Sequence, residues 1–292
     1  MDLGRVITAM VTPFDEELQV DYKALENLIE HLLATGTDTL LVAGTTGESP
    51  TLSDEEKLEL FKACKSIAGT RAKIMAGTGS NSTLHSIELS KKAEKIGVDS
   101  LLLVSPYYNK PTQEGLYQHF KSIADAVDIP VVPYNVPGRT AVTIEPETLA
   151  RLSQIKNVVA VKDAGGNLDK TSKTRALAPE LTVYSGDDSL TLPMLALGAK
   201  GVISVASHIV GSELQEMIKS FEKGDTKKAE QIHLKLFNIF KTLFVITSPI
   251  PVKAALNLIG VPVGGLRPPL GLADDNTTAA LEKVLKDLRK LA

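Results

Sequence analysis

The chain of 292 residues is 43% hydrophobic and carries 32 lysines and arginines against 35 aspartates and glutamates, a formal net charge of −3. This balance excludes the strongly basic surface that a nucleic acid or an anionic membrane attracts, so we expect neither partner. The single cysteine, Cys64, excludes an intrachain disulfide, and because the sequence shows neither signal-peptide order nor a run of ~18 apolar residues, we expect a cytoplasmic protein.

Short apolar runs typical of buried strands recur along the chain, with helical patterns between them. The runs lie at residues 6–11, 39–43, 73–76, 100–104, 131–134, 158–161, 181–184 and 202–205. The first helical pattern covers residues 22–34 and stops at Gly36, a residue that tolerates the left-handed backbone of a helix end. The second begins at Ser53, where the order Ser-Asp-Glu-Glu predicts a capping box closed by Glu56.

Alternation of strand and helix up to about Lys223 predicts a closed (β/α)8 barrel, the TIM-barrel fold. An open doubly wound sheet more often has about five to seven strands and a glycine-rich dinucleotide turn, and Gly77-Thr78-Gly79 lacks the third glycine of that turn. Beyond Gly224 the pattern predicts amphipathic helices at residues 225–247, 251–259 and 275–291. We therefore expect a catalytic barrel over residues 1–224 and a C-terminal helical extension over residues 225–292.

In the stretch NVVAVKDA at residues 157–164, four consecutive apolar residues are followed by a lysine. We expect Lys162 to lie at the end of a strand that is buried on both faces. An ammonium group is costly there, so either the long side chain carries its charge to water or its pKa falls and the neutral amine becomes a nucleophile. The strand alone favours the first interpretation, because strand-end lysines that reach solvent are commoner than reactive ones.

The working residues of such a barrel come from the carboxyl ends of its strands, and here the loops after several strands are polar. These loops are GTTGES at 44–49, SPYYN at 105–109, YNVPGRT at 134–140 and GDD at 186–188. Each alone can be a tight turn, a packed rim or a surface ion pair. Together they supply the groups that an amine nucleophile needs in order to attack a ketone.

Each group has a role in that reaction. Lys162 supplies the amine, and Tyr134 is a candidate proton shuttle if hydroxyl and cationic neighbours lower the pKa of its phenol. Thr45 and Thr46 offer hydroxyl and backbone N–H groups to a small carboxylate, and Arg139 can bind a second carboxylate. The histidines lack metal-ligand spacing, and no docking motif for a redox cofactor is visible, so we expect neither a metal nor a cofactor.

The motifs GTTGES, SPYYNKP, YNVPGRT, AVKDA and PIPVKAAL occur in this order, and through them the chain resembles the dihydrodipicolinate synthase family over essentially its whole length. The resemblance implies a Schiff-base condensation of pyruvate with L-aspartate 4-semialdehyde, in lysine and diaminopimelate biosynthesis, without a metal or organic cofactor. It also implies a homotetramer, a dimer of dimers, in which a tyrosine of one subunit completes the site of its neighbour.

Matched by motif, the resemblance implies Lys162 as the Schiff-base residue and Tyr134 as the proton donor and acceptor. Thr45 and Tyr108 complete a hydroxyl relay, with Tyr108 the residue that crosses between subunits. The implied substrate contacts are Thr46 with the pyruvate carboxylate, the Ile203 backbone with the pyruvate end, Arg139 with the semialdehyde carboxylate and Gly186 beside the second substrate.

Three positions depart from the family pattern: Pro133 stands where an aliphatic residue is usual, Ser248 where an asparagine is usual and Gly165 where a serine is usual. A proline inside a barrel strand forfeits a ladder donor. We expect these changes to affect local packing and rigidity and the activity to survive them.

The nearest alternatives share the barrel, the lysine and the tyrosine. They are N-acetylneuraminate lyase and the 2-keto-3-deoxy sugar-acid aldolases. Arg139 favours a short semialdehyde acid, because a polyhydroxylated substrate calls for neutral hydrogen-bonding groups at that place. A non-catalytic barrel that serves as a binding module is a remote alternative, since Lys162, Tyr134, Thr45 and Tyr108 are all present.

Feedback-sensitive relatives bind lysine at the subunit interface, near the loop after GTTGES and the helix after AGTG. Here Asp54 and Lys57 stand where histidines are expected, and His85 stands where a glutamate is expected, although Ser49, Asn81 and Tyr107 are kept. Asp54 is a partial replacement for the lost glutamate. With that reservation, the changes predict an enzyme that is weakly sensitive or insensitive to lysine.

Overall fold

A computed structural model describes residues 2–291, and within that range parallel strands β1 to β8 close into a barrel. The strands are β1 Val6–Ala9, β2 Thr39–Val42, β3 Lys73–Gly77, β4 Ser100–Val104, β5 Val131–Asn135, β6 Ala160–Asp163, β7 Thr182–Ser185 and β8 Gly201–Ser204. Each strand pairs with its neighbours in sequence, and β8 pairs with β1 to close the ring. The predicted (β/α)8 fold is confirmed, and each predicted strand is present with its ends within one or two residues.

Helices alternate with the strands and continue beyond the barrel. They are α1 Tyr22–Ala34, α2 Asp54–Ala68, α3 Thr83–Ile96, α4 Gln113–Ala124, α5 Pro137–Thr140, α6 Pro146–Leu152, α7 Leu168–Leu177, α8 Thr191–Ala196, α9 Ser207–Glu222, α10 Thr226–Thr242, α11 Ile250–Leu258 and α12 Asp275–Asp287. The capping box of α2 is confirmed, since the Ser53 hydroxyl accepts from Glu56 N at 3.1 Å and Glu56 Oε2 accepts from Ser53 N at 2.8 Å. No helix within residues 2–291 has the length and apolar character needed to span a membrane.

Two C-terminal helices end earlier than their apolar periodicity predicts. Helix α10 stops at Thr242, because the chain then turns to bring Ser248 to the barrel, where its carbonyl accepts from Arg139 Nη2 at 3.1 Å. Helix α12 stops at Asp287, and Arg289 adopts a left-handed backbone with φ of 58°. Periodicity continues through both ends and therefore cannot locate them.

Apolar side chains form two layers. The layer inside the barrel contains Leu3, Ile7, Ala9, Leu41, Met75, Leu102, Val132, Tyr134, Val136, Ala160, Tyr184 and Ile203. The layer between strands and helices also takes in residues of the C-terminal helices, among them Phe240, Leu256 and Leu281. The extension thus shares a core with the barrel helices, and a domain boundary after residue 224 stays a prediction.

Pro133 interrupts the ladder between β5 and β6. Val131 N donates to Asn157 O at 2.7 Å, and regular pairing resumes only at Tyr134 and Lys162. Between these points Pro133 has no N–H to donate, and Val159 O accepts instead from Thr182 N, at 3.2 Å. The sequence predicts that Pro133 lacks a hydrogen-bond donor, and the structure shows the resulting gap in the ladder directly before Tyr134.

The glycines of the Gly77-Thr78-Gly79 segment permit close approach between strand ends. A Cβ atom at Gly77 would overlap the Ala43 carbonyl oxygen, and one at Gly79 would overlap Val104 N. Their backbones therefore lie directly against the ends of β2 and β4. This close packing explains why glycines stand at these two positions, so no dinucleotide-binding role is needed to account for them.

Candidate active site

A cavity of about 590 Å³ opens at the carboxyl ends of β2 to β5. Its inner wall is formed by Gly44, Thr45, Gly77, Leu102, Val104, Tyr134 and Arg139. Its outer wall is formed by Ser49, Asp54, Lys57, Asn81, His85 and Tyr107. The cavity lies where a barrel of this class places its chemistry.

Lys162 and Tyr134 are direct neighbours on adjacent strands. They are register partners on β6 and β5, and Lys162 Nζ lies 4.2 Å from the centroid of the Tyr134 ring. Lys162 is 5% exposed and Tyr134 is 6% exposed. The lysine is the third residue of β6, one position before that strand ends at Asp163. Its burial rules out a side chain that carries its charge to water.

Burial changes the protonation of Lys162. The pKa of this amine is lowered to about 7, the net result of three causes: loss of solvation lowers it most, the Asp188 carboxylate raises it and the Arg139 charge lowers it. With that pKa, about half of the molecules carry the neutral amine at pH 7, against fewer than about one in a thousand for an exposed lysine. Lys162 is therefore available as a nucleophile at neutral pH.

The predicted direction of the Tyr134 pKa is wrong. Burial raises the pKa of this phenol to about 12, although the Arg139 charge and the Thr45 hydroxyl both act to lower it. Desolvation penalises the phenolate more than these neighbours stabilise it. Tyr134 is a neutral proton donor at pH 7, and its own backbone carbonyl is held by Ser105, whose hydroxyl donates to it at 2.9 Å.

The Thr45-Thr46 segment forms a tight turn at the end of β2. Gly44 O accepts from Gly47 N at 3.1 Å and from Ser49 N at 3.2 Å, and Thr45 O accepts from Glu48 N at 3.1 Å. Thr45 lines the cavity and Thr46 is buried beside it. The turn places the Thr45 hydroxyl next to Tyr134, as a small-carboxylate cradle beside that residue requires.

Arg139 extends from the short helix α5 into the cavity wall. The residue is exposed, and the hydrogen bond from Nη2 to Ser248 O holds its guanidinium over the site. Ser248, the predicted departure, is buried and contributes its backbone carbonyl to this contact. A serine in place of the usual asparagine therefore does not remove this hydrogen bond, because the bond uses the backbone carbonyl, which every residue has.

Gly186 and Ile203 come from the next two strands around the barrel from Lys162: Gly186 follows β7 and Ile203 lies on β8. Ile203 on β8 is buried in the barrel interior. A Cβ atom at Gly186 would lie 2.8 Å from the Ala164 Cβ atom and 3.2 Å from Lys162 Cε. A larger residue at position 186 would press on the lysine side chain, so this glycine packs against the nucleophile.

Tyr108 is the one predicted site residue that lies outside this cluster. Its side chain is 91% exposed, and its backbone is left-handed with φ of 73°. Tyr107, not Tyr108, lines the cavity of its own chain. The geometry agrees with a tyrosine that points away from its own site.

The carboxylate of Asp188 is a contributor that the sequence does not single out. It is 2% exposed and accepts hydrogen bonds from Ser204 Oγ, from Val205 N at 3.1 Å and from Ala206 N at 2.9 Å. Its charge opposes the fall in the pKa of Lys162. In the sequence, a Gly-Asp-Asp loop after a strand is typical of an exposed polar turn. Only the fold shows that the Asp188 carboxylate is buried.

A second network fixes the end of β6. Asp163 Oδ1 accepts from Asn135 Nδ2 and from Gly165 N, each at 3.0 Å, and Thr171 donates to Oδ2 at 2.9 Å. A Cβ atom at Gly165 would lie 3.0 Å from both Asn135 Nδ2 and Asp163 Oδ1. The glycine that departs from the family pattern thus fits closely around the residue next to Lys162.

Comparison with known proteins points to a single family. A profile of the Dihydrodipicolinate synthetase family matches residues 2–288. Proteins named 4-hydroxy-tetrahydrodipicolinate synthase are 54% identical in Cyanothece sp., with 99% of each chain covered, and 56% identical in Dehalococcoides mccartyi, with 98% of this chain and 96% of the relative covered.

Solved structures give the same result. Dihydrodipicolinate synthase from Bacillus anthracis superposes with a TM-score of 0.96 at 48% identity, with 98% of each chain covered. The enzyme from Cyanidioschyzon merolae with lysine bound superposes with a TM-score of 0.97 at 47% identity, with 99% of each chain covered. The chain belongs to the dihydrodipicolinate synthetase family.

Proposed function

We propose that this chain condenses pyruvate with L-aspartate 4-semialdehyde to 4-hydroxy-tetrahydrodipicolinate, a lyase-type step of lysine and diaminopimelate biosynthesis. The observation that carries the proposal is a buried lysine with a pKa of about 7, in contact with a buried tyrosine at the carboxyl ends of the barrel strands. The names of the relatives support the same reaction. A class I aldolase needs this amine, and a binding module does not.

The reaction follows from the side chains. The neutral Lys162 amine attacks the keto carbon of pyruvate, and loss of one water from the carbinolamine leaves an imine. Removal of a proton from the pyruvate methyl group gives an enamine, whose carbon attacks the aldehyde carbon of the second substrate, and the aldehyde oxygen takes up a proton to become a hydroxyl group. The amino group of the second substrate then attacks the imine carbon and displaces the Lys162 amine, which closes the ring and frees the lysine. Tyr134 donates its phenolic proton as the carbinolamine loses water, and Thr45 and the Tyr108 of a neighbouring subunit return a proton to it.

The remaining site residues hold the substrates. Thr46 binds the pyruvate carboxylate, and the Ile203 backbone and Gly186 bound the space around Lys162. Arg139 binds the semialdehyde carboxylate with a charge-assisted hydrogen bond. An arginine over the cavity does not favour N-acetylneuraminate or a sugar acid, whose hydroxyl groups call for neutral partners.

A coupled assay tests the function directly. With pyruvate and aspartate semialdehyde both present, the purified protein should form a product that dihydrodipicolinate reductase reduces with NADPH, and omission of either substrate should abolish the signal. Cleavage of N-acetylneuraminate or of a 2-keto-3-deoxy sugar acid at a comparable kcat/KM, without the condensation, would assign the chain to the aldolase alternatives. We also propose a cytoplasmic location, supported by the pathway, which cell fractionation tests.

We propose a homotetramer, a dimer of dimers. The support is Tyr108, which is 91% exposed at its own site, and the exposed apolar side chains Leu84 on α3, Leu177 on α7 and Leu234 on α10. Sedimentation equilibrium should give four chains of 31.2 kDa each. A fully active monomer would show that no neighbouring subunit completes the site.

Lysine is expected to inhibit weakly or not at all. Asp54 and His85 on the outer wall of the cavity are paired with each other, at 2.8 and 3.0 Å from His85 Nε2 to the two carboxylate oxygens. Lys57 Nζ lies 3.8 Å from Asp54 Oδ1 and adds a positive charge. Asp54 is therefore already engaged, and a lost charge-assisted contact of ~1.5 to 3 kcal/mol lowers affinity about tenfold to a hundredfold.

Initial rates at saturating pyruvate check this expectation. They should be unchanged up to millimolar lysine, and the substitution His85→Glu should increase sensitivity by returning a carboxylate to the site. A rate for the unchanged chain that halves at submillimolar lysine would contradict the prediction.

A further inference from the structure

A buried ion pair lies behind the Thr45-Thr46 turn, outside the cavity. Lys253 Nζ, from helix α11, lies 2.7 Å from Glu48 Oε1, and each of the two side chains is 1% exposed. The ammonium also donates to Gly265 O at 2.6 Å. Burial lowers the pKa of Lys253 to about 8 and Glu48 opposes that fall, so the ammonium is the majority form at pH 7.

The Phe14 ring lies beside this pair, and two cationic side chains contact the ring. Lys253 Nζ lies 4.2 Å from the centroid of the Phe14 ring, and Arg267 Cζ lies 4.6 Å from it. Arg267 N donates to Glu48 Oε2 at 3.0 Å, and its guanidinium forms two hydrogen bonds to Glu56, at 2.6 and 2.8 Å. Glu48, Lys253, Phe14 and Arg267 are called the anchor below.

The anchor reaches the substrate turn through the backbone of Glu48. This residue has a left-handed backbone with φ of 56°, and its N–H donates to Thr45 O. The preceding carbonyl, Gly47 O, accepts from Thr12 Oγ1 at 2.7 Å. A non-glycine residue keeps a left-handed backbone only when its surroundings enforce it, and here the surroundings are the anchor.

Stability alone does not explain the pair. Two charges removed from water are often no more stabilising than apolar residues of the same volume, whereas their geometry is sharply defined. Among residues 2–291, Glu48 Oε1 has the Lys253 ammonium as its charged partner and accepts no well-aligned hydrogen bond. The carboxylate, and with it the Glu48 backbone, is therefore held by Lys253 at Oε1 and by Arg267 N at Oε2.

We infer that Glu48 and Lys253 are positioning residues, which hold the Thr45-Thr46 turn where it binds the pyruvate carboxylate. The inference rests on the proposed pyruvate role of this turn. It gives the C-terminal segment a share in the site, because Lys253 comes from α11 and Arg267 from the loop between α11 and α12. Since a displacement of about 1 Å at a binding group changes rates by up to about a hundredfold, loss of the pair should act mainly on pyruvate.

The test uses a double variant, because one unpaired buried charge can unfold the chain. Glu48→Gln with Lys253→Met removes both charges, keeps side chains of similar size and leaves an amide oxygen for Arg267 N. We expect a folded protein whose KM for pyruvate rises roughly tenfold to a hundredfold. The KM for aspartate semialdehyde should stay within about twofold, because the Arg139 contact is untouched.

Two further variants separate the possible outcomes. Lys290→Met breaks the half-buried pair with Glu213, whose Nζ–Oε1 distance is 2.6 Å, and should change the melting temperature without changing either KM. Thr46→Val tests the turn itself. If Thr46→Val raises the pyruvate KM and the double variant does not, the positioning role is overturned and the role of the turn stands. If Thr46→Val has no effect on pyruvate, the proposed role of the turn fails, and the inference fails with it.

Discussion

The substitution Lys162→Ala is expected to abolish borohydride-trappable pyruvate and to lower kcat by roughly 10⁴-fold or more, the scale of losing a nucleophile. Lys162 is the lysine that is paired in register with Tyr134, and its low pKa supplies the neutral amine at pH 7. Trapping is measured by the mass of the reduced pyruvate adduct on the intact protein. No covalent route remains once the amine is removed.

Two controls accompany this variant. Lys162→Met keeps an unbranched side chain of similar length without the amine, so an equal loss in both variants excludes a cavity effect. Lys173→Ala removes an exposed lysine of α7 that pairs with Glu147, and it should trap pyruvate as the unchanged chain does. A stoichiometric adduct in Lys162→Ala would show that another lysine forms the imine.

Arg139→Ala is expected to raise the KM for aspartate semialdehyde about tenfold to a hundredfold, because one charge-assisted hydrogen bond of ~1.5 to 3 kcal/mol is lost. Imine formation with pyruvate should persist, since burial is the largest cause of the low pKa of Lys162 and the Arg139 charge only adds to it. Steady-state kinetics with one substrate varied at a time separate the two effects.

The matched control is Arg151→Ala. Arg151 is a surface arginine that pairs with Glu114 at 2.8 Å and stacks over Tyr117, far from the cavity wall. Its loss should leave both KM values unchanged. An unchanged semialdehyde KM in Arg139→Ala would instead favour a sugar-acid aldolase, in which that position faces no carboxylate.

The barrel was predictable because apolar residues follow a different pattern in its strands than in its helices. Buried parallel strands give continuous apolar runs, and the helices between them begin and end at capping residues such as Ser53 and Gly36. The ends of β6 were less predictable, since Val158 and Val159 are as apolar as the strand itself. Pro133 and the resumption of pairing at Lys162, which only the fold shows, decide where regular pairing begins.

The placement of most candidate site residues at one end of the barrel was predictable, whereas their electrostatics were not. Lys162 and Tyr134 lie next to last in β6 and β5, and Thr45 and Arg139 follow β2 and β5. The carboxyl ends of barrel strands share one face, so these residues come together. The pKa of Tyr134 depends on how deeply the ring is buried, which the loop sequence does not encode. Glu48 and Lys253 are far apart in the chain, so their contact is a consequence of the fold and leaves no local pattern.

The central claim, that Lys162 forms the imine, is tested most directly by locating the adduct. The unchanged protein is incubated with pyruvate and borohydride at pH 7, digested, and mapped by tandem mass spectrometry. We expect one modified lysine, Lys162, at a stoichiometry that rises in step with loss of condensation activity. An adduct on any other lysine, Lys253 included, or full inactivation without an adduct on Lys162, would contradict the account.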